Sequence, residues 1–201
     1  MSLRETALDE IRTAIAVGDL GEDRIFSAAG LAKTLGMSLS PVREAMMSLV
    51  SDGTVEAVPN RGYRLVPVTH ADLDEILQLR LLLAEPAVRS LCESRDPGTL
   101  RDLRTAAEDA LAAAGAADRK SFFAADRRFH FLVLSRGLGE RAAEIGLRLR
   151  DQSRVAHDEE KPQEADRESA AQLCTLVGFV EAGDAEAAVD LVDDNLRYFL
   201  T

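Results

Sequence analysis

The chain has 201 residues, 46% of them hydrophobic, which is ample material for one large core or two small ones. Its net charge of −11 argues against indiscriminate binding to nucleic acid. No apolar stretch approaches the length of a membrane span and no secretory signal opens the chain, so a cytoplasmic protein with no membrane partner is expected.

In chain order, a helix is predicted over residues 3–17, with Leu8, Ile11, Ile15 and Val17 on one face. Leu31, Ala32 and Leu35 form a second apolar stripe that stops at Gly36, a residue able to take the positive φ of a helix C-terminus. Ser38 or Ser40 is then placed to accept from the free N–H groups of a new helix, and Pro41 in its first turn forfeits no helical hydrogen bond. Val42, Ala45, Met46, Leu49 and Val50 make one face of that helix, leaving Ser40, Arg43, Met47 and Ser48 nearer its outer side. Asp52-Gly53 ends it. Val55 and Val58 lead to Pro59-Asn60-Arg61-Gly62, and Tyr63, Leu65 and Val66 resume a β-prone run, which reads as a hairpin with Arg61 and Arg64 around its tip. Helix, turn, helix and small wing together form a device for placing side chains in a DNA groove. Lys33, Ser38, Ser40, Arg43, Arg61, Gly62 and Arg64 are the expected DNA-contacting residues: hydroxyls and helix N-termini position phosphates, and an arginine can bridge two acceptors on a guanine edge.

Strand signals are confined to about residues 54–68, and helical periodicity fills residues 69–200. The division is therefore expected at Pro67-Val68-Thr69, giving a domain at 1–68 and an all-helical one at 69–201. Residues 1–68 carry 7 basic and 9 acidic side chains, and the remainder carries 17 and 26, so the acidity belongs mainly to the helical part. A helix from Asp72 to about Glu93 contains Pro86, where a kink is expected; helices over roughly 98–114, 118–136, 139–157, 167–182 and 184–199 follow. Asp118 and Asp184 suit N-caps, and Gly115, Gly137 and Gly183 mark ends. Residues 157–168 read as a solvated, charged connection that includes His157. Cys92 and Cys174, each inside an apolar pattern, read as free buried thiols.

Two features of the helical part carry chemistry. Asp126 and His130 are four apart and share a helix face, a spacing that serves either an internal hydrogen bond or half of a divalent-metal site. Arg80, in the apolar run LQLRLLLAEP, requires an anion if it faces the bundle interior: Asp126, another internal acid, or a bound ligand. Arg128 points off the Asp126–His130 face, toward solvent.

The stretch Ser38-Leu39-Ser40-Pro41-Val42-Arg43-Glu44-Ala45, followed by Asp52-Gly53 and Pro59-Asn60-Arg61-Gly62, resembles the winged helix of GntR-family bacterial transcription regulators. Asp72 to Arg80, Asp126-Arg127-Arg128-Phe129-His130 and Ala182-Gly183-Asp184 with Ala188 resemble the all-helical effector-binding domain of the family's FadR-like branch. The resemblance implies a mainly α fold: a winged helix-turn-helix with a small β-wing, then a bundle of about six helices. It also implies an arginine at Arg80 lining a ligand cavity, and a metal held by Asp126, His130 and two later histidines, beside a small organic acid. At those later positions this chain has Leu173 and Asn195. Leucine cannot ligate and asparagine offers only a neutral carbonyl, so the metal site is expected to be degraded, with at most a weakly held divalent cation. Arg80, Asp126, His130 and Asn195 remain the expected lining of an effector pocket. The winged helix departs too, with Leu39 where relatives often carry arginine and Ala28 near a usual acidic position.

These readings converge on a non-enzymatic, ligand-responsive regulator that binds an inverted-repeat operator as a homodimer, with operator DNA and a small carboxylate as partners. The competing reading is a metal-dependent enzyme or small-molecule-binding protein that uses the winged helix only for assembly, with Asp126 and His130 as acid and base.

Overall fold

The computed structural model describes residues 2–21, 24–154 and 163–197. Its elements are α1 (Leu3–Ala16), α2 (Ala28–Leu35), α3 (Leu39–Ser51), β1 (Val55–Val58), β2 (Gly62–Leu65), α4 (His70–Ser94), α5 (Pro97–Gly115), α6 (Arg119–Gly137), α7 (Glu140–Ser153), α8 (Gln163–Ala182) and α9 (Ala185–Arg197). The fold is mainly α, a winged helix-turn-helix followed by an all-helical part. The chain divides into two compact units, residues 1–69 with 151–158, and residues 70–150 with 159–201. No helix among the described residues is long and apolar enough to cross a membrane.

In the first unit, α1 opens on a reciprocal cap in which Ser2 accepts from the Glu5 N–H and Glu5 accepts from the Ser2 N–H. Ala7, Ile11 and Ile15 of α1 meet Val42, Ala45, Met46 and Leu49 of α3, and Val55 and Leu65 close the core from the wing. The strands pair antiparallel, Val55 opposite Leu65 and Val58 opposite Gly62. Phe26 adds one bridge at the far edge, exchanging backbone hydrogen bonds of 2.8 and 2.9 Å with Tyr63. That approach explains Gly62: at φ +135° a Cβ there would lie 2.3 Å from the Phe26 carbonyl oxygen.

In the second unit, α5 packs on α6 and α8, and α4 on α9 and α6. The buried face of α5 is Leu103, Ala106, Ala107, Ala110, Ala113 and Ala114, small side chains that let neighbouring helices come close while Phe122 and Phe129 of α6 fill the space beyond. α4 runs through Pro86 as one helix. Both Pro86 and Leu82, whose carbonyl loses its partner to the proline, are on the exposed side, where water can satisfy it.

The structure corrects the reading of residues 157–168 over residues 163–168; residues 157–162 lie outside the described residues. Residues 163–168 are already the first turns of α8, and Asp166 is buried rather than solvated, its carboxylate 3.2 Å from the Arg119 guanidinium. The reason is positional: Asp166, Ser169, Ala170, Leu173 and Val177 recur at helical spacing on one buried face, so the apolar stripe of α8 begins with a charged residue. His157 lies outside the described residues. α5 also starts one residue earlier than its sequence suggests, because Asp96 caps it, accepting from the Thr99 N–H at 2.7 Å, with Pro97 in the first turn. Cys92 and Cys174 are free; Cys92 is buried and Cys174 half-buried.

Candidate functional site

The helix-turn-helix is built by local rules. Ser27 caps α2, accepting from the Gly30 N–H at 2.9 Å, and Gly36, at φ +63°, ends it in the left-handed region. α3 then begins at Leu39 with Ser38 at the N-cap, but neither serine caps it with its side chain: Ser38 makes no such bond, and the Ser40 hydroxyl donates to Glu44 at 3.1 Å. The first N–H groups of α3 are thus not taken by its own serines. Because Pro41, Val42, Ala45, Met46 and Leu49 are buried, the opposite side exposes Leu39, Ser40, Arg43, Glu44 and Met47. Arg4 of α1 lies along the same groove and donates to the Ser48 hydroxyl at 2.8 Å, a cation that the sequence pattern did not single out. Its signal was its place in the first turn of a helix whose Ala7 and Ile11 pack under α3.

Lys33 is exposed in the last turn of α2 and Arg61 at the wing tip. The wing turns through Asn60 at φ +58°. Arg64 lies directly opposite Glu56 in the strand register, and its Nε donates to that carboxylate at 2.8 Å, so it is held along the wing. The Tyr63 hydroxyl is 3.9 Å from Met47 Sδ, joining wing to α3.

The second candidate site is the polar centre of the helical unit. Arg80 of α4, Asp126 and His130 of α6 and Arg150 of α7 are all at least nine-tenths buried. Asp126 is fully buried, and its Oδ1 stands 3.5 Å from His130 Nε2. Its other oxygen, Oδ2, accepts from Arg150 Nε at 3.2 Å and from Arg150 Nη2, which also donates to the Phe123 carbonyl at 3.3 Å. Burial pushes the His130 pKa below its usual value; Asp126 opposes this, and Arg80 and Arg150 reinforce it, so the imidazole is neutral at neutral pH. Arg80, His130 and Arg150 line one side of a cavity whose other walls include Leu134, Leu147, Val192 and Leu196. Its free space is about 20 Å³, room for about one water. The Leu134 side chain fills the space beside Gly146, where a Cβ would fall 2.4 Å from Leu134 Cδ1.

Asn195 is buried but does not line this cavity. Its Nδ2 donates to Gln172 Oε1 at 2.9 Å and to the Ser169 hydroxyl at 3.2 Å, while Oδ1 has no hydrogen-bond partner among the described residues. Leu173 is fully buried in the core. The metal that the resemblance implies therefore meets a poor donor set: one carboxylate already engaged by a guanidinium, one imidazole, a leucine and an amide turned to other partners. Among the described residues no three His, Cys, Asp or Glu side chains are grouped to hold an ion. The residues present do not fit that metal. Arg128 is exposed and 3.6 Å from Asp109. Arg150 was missed in the sequence although its position told: with Ala143, Gly146 and Leu147 it falls on the inward face of α7.

The family model of the bacterial regulatory proteins, gntR family, matches residues 3–65, and that of the FCD domain matches residues 75–198. An uncharacterized HTH-type transcriptional regulator of Agrobacterium vitis, from the TAR-I ttuE-ttuC' intergenic region, is 36% identical over 103 residues, 50% of this chain and 60% of that protein. The HTH-type transcriptional regulator McbR of Escherichia coli (strain K12) is 28% identical over 136 residues, 68% of this chain and 62% of the relative. The matched part thus spans less than two thirds of the length of either. In fold, the chain is similar to the structure of E. coli McbR/YncC, with a TM-score of 0.82 at 24% identity, covering 98% of this chain and 94% of that one. A GntR transcriptional regulator from Rhodococcus sp. RHA1 gives a TM-score of 0.75 at 23% identity, covering 98% and 95%. The winged helix with its exposed α3 face and the all-helical unit with its buried polar centre coincide with these two matched regions, and the chain belongs to the GntR family of bacterial transcription regulators, in the FadR-like branch that carries a C-terminal FCD domain.

Proposed function

We propose that this regulator binds an inverted-repeat operator as a homodimer, reading bases with the exposed face of α3, and that a small carboxylate held in the helical unit alters that binding. The observation that carries the reading is the face itself: Arg43 stands between the exposed Leu39 and Met47 on successive turns, with Arg4 beside it and the uncapped N-terminus of α3 at one end. An arginine suits a guanine edge, apolar side chains suit thymine methyls, and a helix N-terminus suits a phosphate.

Support for the effector half comes from Arg80 and Arg150 on the wall of the cavity. A space of about 20 Å³ is too small for an organic acid, so entry requires the apolar walls, Leu134 and Leu196 among them, to move. Binding then favours one arrangement of the helices over another, which is what coupling to DNA affinity demands. The enzymatic alternative gains nothing from the geometry, because Asp126 is clamped by Arg150 and is poorly placed to act as a base.

Selection of bound sequences from random DNA, run in parallel for the native protein and Arg43→Ala, tests the proposal. The native protein should recover two half-sites in inverted repeat. Arg43→Ala should bind the selected site about 5- to 100-fold more weakly and lose preference at one position per half-site. Recovery of no common sequence, or of the same sequence at the same affinity by both proteins, overturns it. Release of the selected DNA by small carboxylates then tests the effector.

A further inference from the structure

Asp126 and His130 keep the first half of the family's metal site, yet the chain supplies Leu173 and Asn195 for the second half and a guanidinium besides. Arg150 reaches Asp126 Oδ2 through two of its nitrogens, and the same Nη2 is anchored on the Phe123 carbonyl. Both side chains are at least 97% buried. A carboxylate so deep inside a helical bundle needs a counter-cation, and a divalent ion and a guanidinium are alternative ways of providing one. The two differ in an important respect: an ion dissociates, whereas an arginine is part of the chain and stays charged at every accessible pH.

We propose that Arg150 takes the place of the divalent ion as the permanent counter-cation of Asp126, so that the helical unit assembles and holds its ligand independently of metal. This rests on reading the buried centre as the family's effector site. Two consequences follow. The stability of the unit does not depend on divalent ions, since the charge they would supply is already present. An anionic ligand entering the cavity meets the guanidiniums of Arg80 and Arg150, a pair of planar donors suited to carboxylate oxygens, instead of an open coordination position on a metal.

Thermal melting of the full chain, alone and with EDTA, Zn²⁺, Mn²⁺ or Ni²⁺, reads the first consequence; the expected result is an unchanged midpoint in all five. A midpoint that rises with the concentration of any of these ions and falls with EDTA overturns the proposal, because a specifically bound ion must stabilise by mass action. The second arm removes the guanidinium. Arg150→Ala takes both guanidinium bonds from the buried Asp126 carboxylate and should melt well below the native protein; adding Asp126→Asn should recover part of the loss, since the carboxylate that lost this counter-cation is then neutral. If Arg150→Ala does not accumulate as folded protein, Arg150→Gln, which keeps bulk and donors without charge, carries the same comparison. A double variant no more stable than the single one, or a single variant as stable as the native protein, refutes the pairing. No arm uses DNA or an effector, so failure here is distinct from failure of the operator reading.

Discussion

Gly137 shows how little room a single position can leave. It ends α6 against α4, where a Cβ would lie 2.5 Å from the Ala87 carbonyl oxygen and 2.7 Å from the Ala87 Cα, both backbone atoms that cannot rotate away. Gly137→Ala must therefore push the two helices apart, at a cost of about 1–3 kcal/mol. For a chain of this size that is a fall in melting temperature of roughly 2–4 °C per kcal/mol. Gly115, at the end of α5, has nothing within 4 Å of the same construction, so Gly115→Ala should leave the melting temperature level or raise it slightly. Calorimetry on both variants checks the pair; equal effects would show that the closeness of α6 to α4 does not limit the fold. The sequence marks both glycines as helix ends, and nothing in it distinguishes the crowded one from the open one, because the difference is made by a backbone fifty residues away.

At the scale of elements, capping ties stability to pH. Asp118 heads α6, accepting from the Ser121 N–H at 3.1 Å and the Ser121 hydroxyl at 2.6 Å, bonds that hold its carboxyl below the usual value of 3.8. Asp96 does the same for α5. A carboxyl whose folded pKa is depressed contributes stability that is present above its unfolded value and lost as pH falls through the folded one. Asp118→Ala should accordingly lower the melting temperature at pH 7, and the gap from the native protein should narrow as pH drops below 3.8. A gap that persists unchanged at the lowest pH where the protein still folds would show that the side chain acts by something other than its charged cap. Asp118 and Asp184 are legible as caps because each precedes a clean apolar period, and the wing is legible because Asn60 and Gly62 supply the positive φ values a tight hairpin needs. Asp166 and Arg150 are illegible by the same habit of reading: a charged residue is assigned to solvent, although each occupies an inward position of its helix. In the buried polar centre, Arg80, Asp126 and His130 come together, but Asn195 turns to Ser169 and Gln172, since i,i+4 spacing fixes neighbours within one helix and says nothing of the register between α8 and α9.

For the molecule as a whole, the charge distribution constrains the proposed binding to DNA. Residues 69–201 hold 17 basic and 26 acidic side chains, so most of the chain is repelled by a polyanion, and attraction must come from a few cations on the winged helix. Lys33 and Arg61 are exposed there, Arg4 and Arg43 flank the groove of α3, and Arg64 is occupied by Glu56. If Arg43 reads a base, the cations counted for phosphates are Arg4 at the groove, Lys33 at the end of α2 and Arg61 at the wing tip, about three per protomer, a small electrostatic contribution for one copy. Two copies on a two-fold operator give about six contacts and, at roughly −0.9 per phosphate, a slope of about −5 in log affinity against log salt. A single copy would give about half that slope. Binding titrations between about 50 and 200 mM salt, paired with light scattering on the same sample, decide between them. A dimer with the steeper slope is the expected outcome; a monomer that binds the selected operator with the shallow slope would mean that each winged helix acts alone, and the inverted-repeat arrangement would have to be abandoned.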